Sequence, residues 1–243
     1  MLHVMDLKEV KRTWLFEAII LAIGLFCLGS RIEAGLKVAG SDDRTVSVRG
    51  LAERIVPADK VVWPLVYKEV GNDIGTLAAL VEKKNATIVE YLHSNGLSDA
   101  EISVAPPEIY DLKAERYSNP EVPYRYNVRS IITVSSQQVD LVRSLIAEQG
   151  ELLNKGIAIV SGEYDAQVDY LFTGLNDLKP DMIAEATRNA RQAAEQFAND
   201  SESQLGKIRT ASQGQFTIEN RDAYTPYLKK VRVVTSVVYY LKD

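Results

Sequence analysis

The chain has 243 residues, one cysteine, two histidines and a formal net charge of −5. This mildly acidic balance argues against a nucleic-acid partner, which would need a basic face. The single cysteine, Cys27, leaves everything beyond it without disulfides or thiol chemistry, so that part must be stable through its core alone, which its length allows.

Residues 18–30 read AIILAIGLFCLGS and follow Lys8, Lys11 and Arg12. A charged region before a short apolar run is the pattern that sends a chain across a membrane. The stretch 14–30 carries one charge, Glu17, and stands at the short limit of the roughly 17–25 residues that a span needs. Glu17 lies near the membrane edge, where a charge can snorkel, and Trp14 suits an interfacial belt. Small residues at −3 and −1 of a cut are missing at Leu28-Gly29-Ser30 and at Ile32-Glu33-Ala34. Phe26 before Cys27 does not fit a lipoprotein signal. The reading is an uncleaved signal-anchor, with a cleaved signal peptide and a buried N-terminal helix as alternatives. Residues 1–34 are then the cytoplasmic tip and anchor, 35–44 a linker, and 45–243 an exported body.

Residues 45–50 (TVSVRG) alternate and predict a short strand. Residues 61–70 predict a second, with Pro64 marking an edge or a bulge. Asn72-Asp73 caps a helix over 76–94 that turns Leu77, Leu80, Val81, Ile88, Tyr91 and Leu92 inward, and Asn95-Gly96 stops it. A strand enters at 101–105. Four prolines make 106–123 a long loop. Residues 124–135 predict a strand, after which Ser136 caps a helix over 138–148. Further strands are expected at 157–160 and 163–171. The longest helix opens at Asp177 or at Lys179-Pro180, with Pro180 in its first turn. It runs to about Leu205, faces inward with Ile183, Thr187, Ala190, Ala194 and Phe197, and stops at Gly206. Residues 208–218 and 231–241 are the last two strands, and the mixed pattern of 231–238 predicts cover on both faces. The fold class is α+β: two β-β-α-β-β-like halves of mostly antiparallel sheet, with long helices packed on one face.

Residues that carry chemistry are sparse. His93 is the only histidine of the body and sits in the last turn of a helix. With no second His and no Cys, the common zinc sites are excluded. A Ser-His-Asp triad would need His93 as its base, and no G-x-S-x-G context accompanies it. Asp42-Asp43 and Asp165/Asp169 lack the ligand spacing of a calcium loop. Neither phosphate-binding glycine motif is present. The tyrosines Tyr110, Tyr117, Tyr124 and Tyr126 read equally as a contact surface or as hairpin packing. Residues 199–203 (NDSES) read as a solvated helix end, and GLNDLKP (174–180) as a turn into a helix. No catalytic, cofactor-binding or metal-binding residue is assigned, and no enzyme activity or cofactor is expected.

Four segments carry a resemblance: TVSVRGLAERIVPADKVVW; the helix ending YLHSNGLSDAEIS; residues 172–218 from FTGLNDLKP to GQFTI; and the closing KKVRVVTSVVYYL. Together they span about Arg44 to Leu241, and the chain resembles the SIMPL-domain (DUF541) family. The resemblance implies a bacterial, exported or envelope-associated protein. Its members include a periplasmic immunogenic protein and a protein linked to oxidative-stress defence, and at least one relative forms a ring-like, channel-shaped oligomer. No catalytic mechanism comes with the family. The expected function is a non-enzymatic protein, tethered to the inner membrane by its N-terminal helix, that forms a homo-oligomer and serves envelope or oxidative-stress defence. The expected pairing edges are the Pro64 strand or the final strand. A ligand- or protein-binding module and an unrecognised hydrolase are the alternatives.

Overall fold

The computed structural model describes residue 14 and residues 17–30, 44–114, 123–160 and 166–242. Outside the described residues lie the basic residues Lys8, Lys11 and Arg12, the linker up to Asp43, Asp42 and Asp165, Tyr117, and the start of the strand expected from 163.

Residues 17–30 form helix α1, and every one of them is exposed. Ile20, Leu21 and Phe26 are 68%, 66% and 79% exposed, so α1 buries no apolar face against the body. No helix among the described residues is long and apolar enough to cross a membrane.

The body holds two antiparallel sheets. The first contains β1 (Thr45–Pro57), β9 (Leu228–Lys242) and β7 (Gln204–Gln213) in that order, with β8 (Thr217–Asn220) also on β9. The second runs β3 (Ile102–Val104), β5 (Tyr126–Ser136), β2 (Lys60–Gly71) and β6 (Asp169–Leu171), with β4 (Glu108–Asp111) also on β5. The two units are therefore not the two halves of the chain. The second sheet is built from one contiguous stretch, which is inserted between β1 and the C-terminal strands that β1 joins. The reason lies in the turn at Pro57–Lys60, which carries the chain from one sheet directly into the other.

The second sheet is covered by α2 (Ile74–Ser94), α3 (Val139–Glu148) and α4 (Gly150–Asn154). Their core includes Trp63, Leu65, Ile88, Leu92, Ile132 and Leu145, each at most 2% exposed. In α2 the buried residues are Leu77, Val81, Ile88, Tyr91 and Leu92, as the spacing predicts, while Leu80 is exposed. Pro64 does mark an edge. The Val66 carbonyl accepts from Val160 N on the side away from β5. Backbone groups two residues apart face the same way, so the missing N–H of Pro64 also falls on that side, beyond the end of β6.

The first sheet is covered by α5 (Leu175–Asp200), whose buried face is Met182, Ala186, Ala190, Ala194 and Ala198. Ala190 and Ala194 match the expected face. Ile183 and Thr187 are only partly buried, and Phe197 is 59% exposed. The cause is Gly50 of β1: a Cβ there would lie 1.8 Å from the Ala186 carbonyl oxygen. The helix backbone rests directly on the strand, and only the stripe of small side chains fits between them.

Other boundaries differ for local reasons. β1 continues to Pro57 because β9 pairs it along all thirteen residues. The expected loop at 106–123 contains β4, and the stretch 157–160 is not a strand, although Val160 bonds to Val66. α5 begins before Pro180 and ends at Asp200; Gly206 lies within β7. Residues 208–218 divide into β7 and β8 at Gly214, whose N–H donates to the Val234 carbonyl. β9 alternates cleanly in burial, one face against α5, instead of being covered on both. It is the central strand of its sheet, so it offers no pairing edge. Gln138, not Ser136, is the N-cap of α3, and the Ser136 hydroxyl accepts from Gln138 N one step earlier.

Candidate binding groove

Asp73 starts α2 by accepting from Thr76 N at 2.7 Å and Thr76 Oγ1 at 2.6 Å. These bonds favour the charged form and hold its carboxyl below the usual range. At the other end Gly96 takes φ +93°, and Leu97 N donates to the Leu92 carbonyl, which closes the helix. Across from α2, β4 is fixed on β5 by charge pairs. Arg125 contacts Asp111 with Nε and Nη2 at 3.0 and 2.8 Å, and Arg129 Nη1 lies 3.2 Å from Glu108. The Arg125 guanidinium holds the Asp111 carboxyl below its ordinary value.

Between these elements lies a half-open groove of about 360 Å³. From α2 it takes Ile74, Ala78 and Val81, with Glu82 and Asn85. The sheet supplies Val104, Pro107, Ile109 and Val128. Ile74, Val104 and Ile109 are 38%, 46% and 53% exposed, an apolar concentration that no neighbouring element covers among the described residues. Asn85 Oδ1 lies 2.8 Å from Tyr67 Oη and accepts from Ser130 Oγ at 2.9 Å. Tyr67 is also 3.0 Å from the Val81 carbonyl, and burial pushes its hydroxyl pKa above the ordinary value.

Of the groove residues, the sequence pattern singles out Val81, as part of the inward face of α2, and assigns no site to the others. Ile109 was hidden in a proline-rich stretch read as loop. The one available signal was a set of apolar residues, Ile74, Val104 and Ile109, outside the helical and alternating core patterns. The residues weighed for chemistry fall elsewhere. His93 Nε2 meets Asp99 Oδ1 at 3.0 Å. Asp169 is exposed in β6. Tyr110 and Tyr124 are 44% and 45% exposed, whereas Tyr126 packs against the core. Among the described residues no cluster of three or more His, Cys, Asp or Glu side chains is placed to hold a metal ion.

The GLNDLKP turn has a clear structural task. Asp59, in the turn between β1 and β2, accepts from Thr173 N and Gly174 N at 2.8 Å each. It thereby orients the start of α5 from the opposite end of the sequence.

The class is therefore an α+β body of two antiparallel sheets with helices packed against each. Residues 46–238 match the family model described as SIMPL, a protein of unknown function (DUF541). The chain belongs to the SIMPL family. No curated protein matches it.

Proposed function

We propose that this chain is a non-enzymatic envelope protein, held at the bacterial inner membrane by its N-terminal helix, whose periplasmic body assembles with copies of itself and serves envelope or oxidative-stress defence. The observation that carries the assembly is the open edge of β1. This strand is thirteen residues long and, among the described strands, pairs only with β9. The Arg44 carbonyl accepts from Leu241 N, so even-numbered residues face β9 and odd-numbered residues from Thr45 to Ile55 turn their backbone groups outward. A long unpaired edge is a template for another strand. Among the described residues one side-chain bond caps it, from Asn189 Nδ2 to the Leu51 carbonyl at 2.8 Å.

Antiparallel pairing of two copies about Leu51 sets Arg49 of each opposite Glu53 of the other, an isologous contact with complementary charge. The tether is supported by α1, whose exposed apolar side chains need an apolar environment that the body does not provide.

The test is the mass of the full chain in mild detergent by light scattering. The expected result is a discrete oligomer that the variant Arg49→Pro reduces to monomer. Arg49 N faces the open edge, so this proline removes no bond to β9. A monomeric wild type at tens of micromolar, or an oligomer unchanged by Arg49→Pro, overturns the assembly. Release of the chain from membranes by alkaline extraction overturns the tether.

A further inference from the structure

We infer that the groove between α2 and the β3–β4 edge is a binding site for a small neutral apolar molecule that carries a carbonyl acceptor. The inference goes beyond self-assembly, since the groove lies on the second sheet and β1 on the first.

Size comes first. About 360 Å³ holds roughly a dozen non-hydrogen atoms at about 30 Å³ each, within the usual range of ligand pockets. Its lining is almost wholly aliphatic, and two of its exposed side chains, Ile109 and Val104, come from β4 and β3 beside β5.

Polarity then selects the ligand. Asn85 is the only amide in the lining. Its oxygen is engaged by Tyr67 and Ser130, which are 1% and 0% exposed and so fix the amide orientation from below. The nitrogen, with two hydrogens to give, has no partner among the described residues. It is a donor in an apolar setting, and its natural complement is a neutral acceptor. Glu82 is the one charged residue of the lining. Its exposed carboxylate disfavours an anionic head, and an ammonium has no lone pair to accept from the Asn85 nitrogen. An ester, ketone or amide on a medium-length chain satisfies both.

The experiment titrates methyl octanoate, octanoate and octylammonium into the full chain in lipid nanodiscs by calorimetry, with empty nanodiscs subtracted. Saturable binding of the ester is expected, with octanoate and octylammonium at least tenfold weaker. Ile109→Gln and Val104→Gln alter exposed side chains and leave the buried core intact, and each is expected to weaken the ester at least tenfold. Absence of saturable ester binding overturns the site. So does ester binding that both variants leave unchanged. Binding of octanoate or octylammonium as tight as the ester, and lost in the variants, overturns the ligand class. The light-scattering mass of the same samples reports on assembly separately.

Discussion

Replacing Gly50 by alanine tests the packing of α5 on the first sheet. The added methyl would lie 1.8 Å from the Ala186 oxygen and 2.5 Å from Ala190 N. Non-bonded heavy atoms need about 3.5 Å, so α5 must retreat by roughly 1.7 Å. Both contacts are backbone atoms, so no rotamer change relieves them. The retreat opens the layer formed by Val48, Ala190, Ala194 and Val237. Overpacking of this kind costs typically 1–3 kcal/mol, and the backbone clash places Gly50→Ala at about 3 kcal/mol. For a body of this size that lowers Tm by about 6–12 °C. The assay is thermal and urea unfolding followed by circular dichroism. Ala186→Gly in the same chain restores nothing, since the clash is with main chain. Gly150→Ala, where a Cβ meets nothing within 4 Å, is the control and costs no stability, a change of this kind at an unstrained site stabilising by up to about 1 kcal/mol. A Gly50→Ala protein as stable as its control refutes the close approach.

Two further outcomes follow from single carboxylates. Asp59→Ala leaves Thr173 N and Gly174 N without their acceptor and is expected to cost about 1–3 kcal/mol in urea unfolding; a loss below about 0.5 kcal/mol rejects the clamp. Glu101 is held down to about 2 from 4.5, first by the Ser136 hydroxyl and then by Ser98 N and Oγ. A depressed folded pKa means that this stabilisation is complete above the unfolded value and is lost as pH falls from about 4.5 toward 2. The urea midpoint of Glu101→Gln, measured between pH 7 and pH 2, should therefore fall less steeply on the acid side than that of the wild type, and parallel curves would contradict the assignment.

The elements legible in the sequence are those whose signal is local. Asp73 and Gly96 bracket α2 through bonds within a few residues, and its apolar spacing names the buried face with only Leu80 astray. α5 shows where local reading stops. Periodicity favours the bulky Ile183 and Phe197 for the inner face, whereas Gly50, more than a hundred residues away, admits only alanines and Met182 beside them. The sheet order is equally non-local: nothing in TVSVRG says that its partner is the last strand. The family-bearing segments meet in space at Asp59 with Thr173–Gly174 and at Gly50 with Ala186. Their resemblance thus records how the body is packed. The groove leaves a fainter trace, because its residues are ordinary aliphatics made unusual only by what fails to cover them.

The central place of β9 has a consequence for how the chain comes into being. β1, β7 and β8 each pair with β9 and with no other described strand, and Thr45 sits opposite Tyr240. At a synthesis rate of about 5–20 residues per second, β1 waits roughly 10–40 s for its neighbour. The second sheet can close on its own during that interval, since its strands are contiguous. The first has no ladder to build: β1, β7 and β8 find no strand to pair with until the final fifteen-residue strand arrives. A ribosome that stops short of β9 therefore releases a closed second sheet joined to strands that have lost their common partner.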